Sequence, residues 1–314
     1  AAAGMLTACS NEDTLGGNGE QNVSEQQIRL GVASSKVQTR GTGTVGGMTD
    51  TENVWAGQTL WVYMLQKGSM ELALYKSPAV GATAAAETEV FNNKKFTAPT
   101  TVTSGLATTA DGTIAYYPVS GNYDFWGYRV DDAVAGGTPT VKTVNDNGDE
   151  VAADQATKRV VEIEIDGSQD IMAGKAAPSN DEVTALGGYA DNFYSAYAAR
   201  KGVQPNITFN HLLTRFTFEV RAGSKATAGL PAGGNTDAVK VTGVSVDSKT
   251  TGTLTVAYTG ATKEAADLLT FTGAASPLTL KQRSTTAADN NEALVALEPV
   301  SLTWTDDAAT IGDV

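Results

Sequence analysis

The sequence predicts an all-β protein built as two tandem sandwich domains. Three observations lead there. Many short segments alternate apolar and polar residues, which places their apolar side chains on one face of a strand. Clusters of Gly, Pro, Asn and Asp separate those segments, as turns do in sandwiches. The composition has 33 glycines and 7% aromatics, closer to secreted β proteins than to helical enzymes, and the length of 314 residues suits about two domains.

From the N-terminus, Ala1 to Ala8 are small or apolar and lead into Leu6-Thr7-Ala8-Cys9, which holds the only cysteine. The polar run Ser10-Asn11-Glu12-Asp13 follows. This is the pattern of a bacterial lipoprotein cleavage box. Small side chains at Thr7 and Ala8 let a peptidase approach the backbone, and the Cys9 thiol would accept the lipid. The competing reading is an ordinary buried cysteine. Residues 1–9 are too few for a charged region and a full apolar stretch, so the expectation is a signal clipped at its start. Residues 10–26 lack periodicity and read as a flexible tether.

Ile28, Leu30 and Val32 alternate, predicting the first strand of a domain spanning 27–204. A Ser-, Thr- and Gly-rich loop follows, with Arg40 near its middle. Leu60 to Leu65 is apolar on both faces, as a central strand would be. Asn92-Asn93 reads as a hairpin turn between Glu89–Phe91 and Lys95–Thr97. In the strand at Asn122 to Val130, Tyr123 and Phe125 face opposite Trp126 and Tyr128. Val161, Ile163 and Ile165 alternate with Glu162 and Glu164, giving one wet face. Helix is expected only in Tyr189 to Arg200. A second domain, 205–314, opens with the alternating run Leu212, Thr214, Phe216, Phe218, Val220 and continues in short strands.

The formal charge of −13, from 22 basic and 35 acidic residues, argues against a nucleic-acid partner, which needs a basic patch. Membrane contact is expected through lipid at Cys9 alone, since no apolar run reaches the ~20 residues of a spanning helix. No residue pattern calls for a cofactor or metal. Gly41-Thr42-Gly43-Thr44-Val45-Gly46 matches G-x-G-x-x-G, but no helix opens after it to meet a pyrophosphate. Asp146-Asn147-Gly148-Asp149-Glu150 lacks the ligand spacing of a calcium loop and reads as a turn. Asp131-Asp132 reads as a solvated strand end. His211, the only histidine, would have to serve any Ser–His–Asp device. A packed, hydrogen-bonded histidine fits its apolar surroundings better. Arg40 sits in the kind of loop that proteases nick.

Three segments resemble the fimbrillin family, the type V pilins. They are Ala115-Tyr116-Tyr117-Pro118-Val119-Ser120-Gly121-Asn122-Tyr123-Asp124-Phe125-Trp126-Gly127-Tyr128, Asp170-Ile171-Met172-Ala173-Gly174-Lys175, and Phe209-Asn210-His211-Leu212-Leu213-Thr214-Arg215-Phe216-Thr217-Phe218. The lipobox and Thr39-Arg40-Gly41-Thr42 are similar as well. The resemblance covers about residues 6–220 and departs from the family pattern near the C-terminus, where further strands are usual. It implies transthyretin-like sandwiches in a lipidated precursor of a surface fimbria, exported to the outer membrane and cell surface. It further implies an arginine-specific protease cutting after Arg40, with Arg29 the less favoured site. The strand of Ile28, Leu30 and Val32 would be displaced, and a strand of the next fimbrial subunit would take its place, giving a head-to-tail polymer that contributes to adhesion. Two rival expectations remain: a glycan-binding surface lipoprotein using exposed aromatics such as Trp55 or Trp126, and a hydrolase using His211.

Overall fold

The computed structural model describes residues 26–34, 58–76, 86–99, 104–131, 133–167, 169–188, 194–214 and 240–279, with short strands at 219–220, 281–283, 294–296, 300–301, 304–305, 308–309 and 312–313. The fold is all-β, and the described residues contain only two short α-helices.

The first half of the chain supplies β1 (Gly31–Ser34), β2 (Thr59–Gln66), β3 (Ala73–Lys76), β4 (Glu87–Val90), β5 (Lys94–Thr97), β6 (Ser104–Leu106), β7 (Thr108–Thr109) and β8 (Tyr123–Arg129). After them come β9 (Val141–Val144), β10 (Lys158–Glu164), β11 (Met172–Lys175), α1 (Asn180–Ala185), α2 (Ala196–Arg200) and β12 (Asn206–His211). The chain then forms β13 (Glu219–Val220), β14 (Lys240–Val241), β15 (Ser245–Ser248), β16 (Thr251–Tyr258), β17 (Leu269–Thr272) and β18 (Ser276–Thr279).

Eight strands pair in the order β6-β1-β12-β11-β8-β2-β5-β7. The two ends of that order are one run of chain. β6 pairs with β1, and β7, beginning two residues after β6 ends, pairs with β5. The Ala107 amide between them donates to the Leu30 carbonyl. The pairing therefore comes round into a ring, a flattened barrel whose two ends are joined through the run of residues 104–109. β12 makes the opposite corner. Its first four residues pair in parallel with β1, and its last two pair antiparallel with β11.

Alternation sorts the side chains into two cores. Leu60, Val62 and Met64 of β2, Tyr123 and Phe125 of β8, and Ile207 and Phe209 of β12 fill the ring. Trp61, Tyr63 and Leu65 of β2, with Trp126 and Tyr128 of β8, point outward. There they meet a second sheet of order β17-β16-β10-β9, which contributes Val161, Ile163, Leu254 and Val256. This is why β2 is apolar on both faces: each face has its own core. Glu162 and Glu164 of β10 remain exposed, as the alternation predicts.

Two glycines decide how closely β12 passes over the inner face. Gly127 and Gly174 are cross-strand partners in β8 and β11. A β-carbon on Gly127 would lie 2.6 Å from Phe209 Cζ, and one on Gly174 would run into the Thr208 carbonyl oxygen.

The structure bears on four expectations. The boundary at 204/205 does not separate two sheets, because β12 joins β1 and β11 while β16 joins β10. Pro205 itself accepts a hydrogen bond from the Gly31 amide, 2.8 Å away. Asn92-Asn93 turns the chain, with Asn93 at φ 47°, but not within a hairpin: β4 pairs with β3, and β5 pairs with β2. Of the strand predicted from Leu212 to Val220, residues 212–214 are not in a strand, 215–218 lie outside the described residues and 219–220 form β13, while β12 over Asn206–His211 precedes it. Of the helix expected over Tyr189 to Arg200, Ala196–Arg200 is helical, Tyr194 makes a β-bridge, and residues 189–193 lie outside the described residues, while the sequence reading does not predict α1. Its signal is Ser179 three residues before Glu182, a capping box in which each side chain bonds the other residue's backbone.

Candidate functional site

The site with the strongest claim is the seat of β1. Ile28, Leu30 and Val32 point into the ring and are 6%, 2% and 1% exposed. Between them Arg29 faces water, which period-two alternation requires. The segment is held on both sides. On one side the Ile28 amide donates to the Ala115 carbonyl and the Tyr117 amide to the Gln26 carbonyl, both at 2.9 Å. On the other, Gln204 clamps it twice: its Oε1 accepts from the Arg29 amide at 3.1 Å, and its Nε2 donates to the Gln27 carbonyl at 3.4 Å. Gly31 lies opposite Asn206, and a β-carbon there would sit 3.1 Å from Asn206 Oδ1.

Burying three such aliphatic side chains is worth roughly 5–9 kcal/mol. A whole domain has a net stability of about 5–15 kcal/mol. Loss of this segment would thus remove burial comparable to the small net stability of a domain, and would expose the unpaired backbone of β6 and β12.

A polar cluster lies where β12 meets β11. Arg129, at the end of β8, is 1% exposed. Its guanidinium donates to the Asp170 carbonyl at 2.7 Å and to Gln58 Oε1 at 3.0 Å, and it is ion-paired with Asp131. The Asp170 carboxylate lies 3.4 Å from the guanidinium and accepts from His211 Nδ1 at 2.8 Å. Asp131 adopts φ 47°, and its carboxylate also accepts from the Asp170 amide at 2.8 Å. Asp131 is therefore not the solvated strand end expected of it. A buried guanidinium must be neutralised, and the left-handed backbone brings the carboxylate back to do so.

Several predicted residues can be placed. His211 is the packed, hydrogen-bonded histidine described above, with its Nδ1 engaged by Asp170. Trp126 is 4% exposed and packs on Tyr258 with ring centroids 4.7 Å apart, while the Lys175 ammonium sits over its ring at 4.7 Å. It is a core side chain, not an exposed glycan platform. Asp146 bonds the Thr157 hydroxyl and lies 3.7 Å from the Lys158 ammonium. The turn it belongs to is organised by Asn145, whose Oδ1 accepts from the amides of Asn147 and Asp149. Leu6, Thr7, Ala8, Cys9, Arg40, the run Gly41–Gly46 and Trp55 lie outside the described residues. Sequence reasoning missed Arg129 and Gln58, since nothing local marks a polar residue as buried, and Gln204, whose partners lie some 175 residues away in sequence.

Tyrosines line both cores. Burial pushes Tyr63 up to about 12, against the opposing pull of Arg159 beside it. Burial also raises Tyr117, Tyr128 and Tyr194, with Tyr194 pushing Tyr117 further. No protein-family model, curated protein or solved structure matches this chain.

Proposed function

We propose that this chain is a structural subunit of a surface fimbria. It is made as a precursor lipidated at Cys9, which carries it to the outer membrane and the cell surface. An arginine-specific protease cuts after Arg40, and subunits join head to tail by donor-strand exchange, contributing to adhesion. One observation carries this reading: a single N-terminal segment supplies three inward aliphatic side chains, Ile28, Leu30 and Val32, and runs into β1, which bridges β6 to β12. Its removal opens a groove of defined length, with unpaired backbone on both sides, which an extended strand of another subunit would fill by β-augmentation. Such a contact does not close on itself, so it propagates as a filament.

The test is arginine-specific proteolysis of the purified precursor. Cleavage at Arg40 should produce a ladder of polymers on non-denaturing gels, and an Arg40→Ala chain should stay monomeric. Cleavage at Arg40 that leaves only monomer would sink the proposal.

A further inference from the structure

We propose that the Arg129–Asp170–His211 cluster is a latch that seats β12 on β11 and β8, so that β1 can leave its place while β12 stays. The need for such a device follows from the ring. β12 is the only strand between β1 and β11, and four of its six residues pair with β1. A strand whose main ladder departs would ordinarily depart with it.

What remains to hold β12 lies on its other side. The Leu212 amide donates to the Ile171 carbonyl at 2.8 Å, and His211 and Asn210 pair with Met172 and Ala173. Phe209 and Ile207 rest on Gly127, where no side chain keeps them off. His211 then ties the end of β12 to Asp170 at 2.8 Å. Arg129 ties Asp170 to β8 and reaches Gln58, one residue before β2. Three strands of the ring are therefore bound to the end of β12 without any contribution from β1. The cluster lies in a buried setting, where a carboxylate held by a guanidinium and an imidazole gives up its partners reluctantly. Local openings of a fold differ in free energy from one segment to the next, so two such segments can exchange with solvent independently.

The latch concerns the same strand pair as the proposed assembly, but it is tested in the uncut, full-length chain, so the two ideas fail separately. The experiment is amide hydrogen exchange. In the wild-type protein the amides of Ile28, Gly31 and Tyr117, which close the β1 ladder, should exchange at least about 10-fold faster than the Leu212 amide. In a His211→Leu chain that gap should collapse, with both sets exchanging together. A His211→Gln chain, which keeps a donor towards Asp170, should retain most of the gap. If wild-type Leu212 exchanges at the same rate as Ile28 and Gly31, there is no latch. If His211→Leu leaves the gap unchanged, the cluster is not what holds β12.

Discussion

Alkaline pH should unfold this protein through its buried tyrosines. Tyr63 is 1% exposed, and burial moves its hydroxyl from 10.0 to about 12. The folded state therefore binds that proton more tightly than the unfolded state does. The stability this represents is fully present below pH 10 and is lost as pH rises towards 12. A displacement of that size is worth about 3 kcal/mol. Tyr117, Tyr128 and Tyr194 are displaced in the same direction and add to it. Against a net stability of about 5–15 kcal/mol, the combined loss is enough to unfold the chain within that window. The assay is tyrosinate absorbance near 295 nm, recorded with far-ultraviolet circular dichroism during a titration from pH 9 to 12.5. The buried tyrosines should ionise in one cooperative step that coincides with loss of β signal. A Tyr63→Phe chain should unfold at higher pH, even if it is slightly less stable at pH 7. Non-cooperative ionisation of all ten tyrosines near pH 10, with the β signal intact, would refute the reasoning.

Two substitutions probe the ring itself. Gly174→Ala should destabilise by about 1–3 kcal/mol in urea titration, because the added methyl meets the Thr208 backbone rather than a side chain that can move aside. Leu30→Ala should cost about 2–5 kcal/mol in the uncut precursor, read by the same titration, since it leaves a cavity inside the ring.

Strands were legible in this sequence wherever one face is buried, because alternation is a local property. Ile28/Leu30/Val32, Tyr123/Phe125 against Trp126/Tyr128, and Val161/Ile163/Ile165 all take the faces their spacing dictates. Partner choice was not legible. Asn92-Asn93 has the chemistry of a hairpin turn, yet whether its flanking strands pair depends on β2 and β3 competing for them from elsewhere in the chain. The boundary placed at 204/205 carries no pairing information for the same reason: Gly202 marks a turn, but a turn does not say whether the next strand returns to the same sheet. Of the site, Ile28, Leu30 and Val32 were visible by periodicity. Arg129 was not, since an arginine closing an aromatic strand looks like any solvated end. Its partner Asp170 lies 41 residues away in sequence.

The closure of the ring also sets an order of events in synthesis. The Arg29 amide finds its Gln204 partner 175 residues downstream, and the parallel ladder of β1 needs residues up to Phe209. Contacts of such separation form slowly, because a long loop must close before they repay its entropy. This early strand is thus among the last to be fully docked. Residues 104–117 can meet one side of the segment of Ile28, Leu30 and Val32 early, but its other side stays unpaired until some two hundred residues of chain have emerged, and a nascent chain remains an open acceptor throughout that interval.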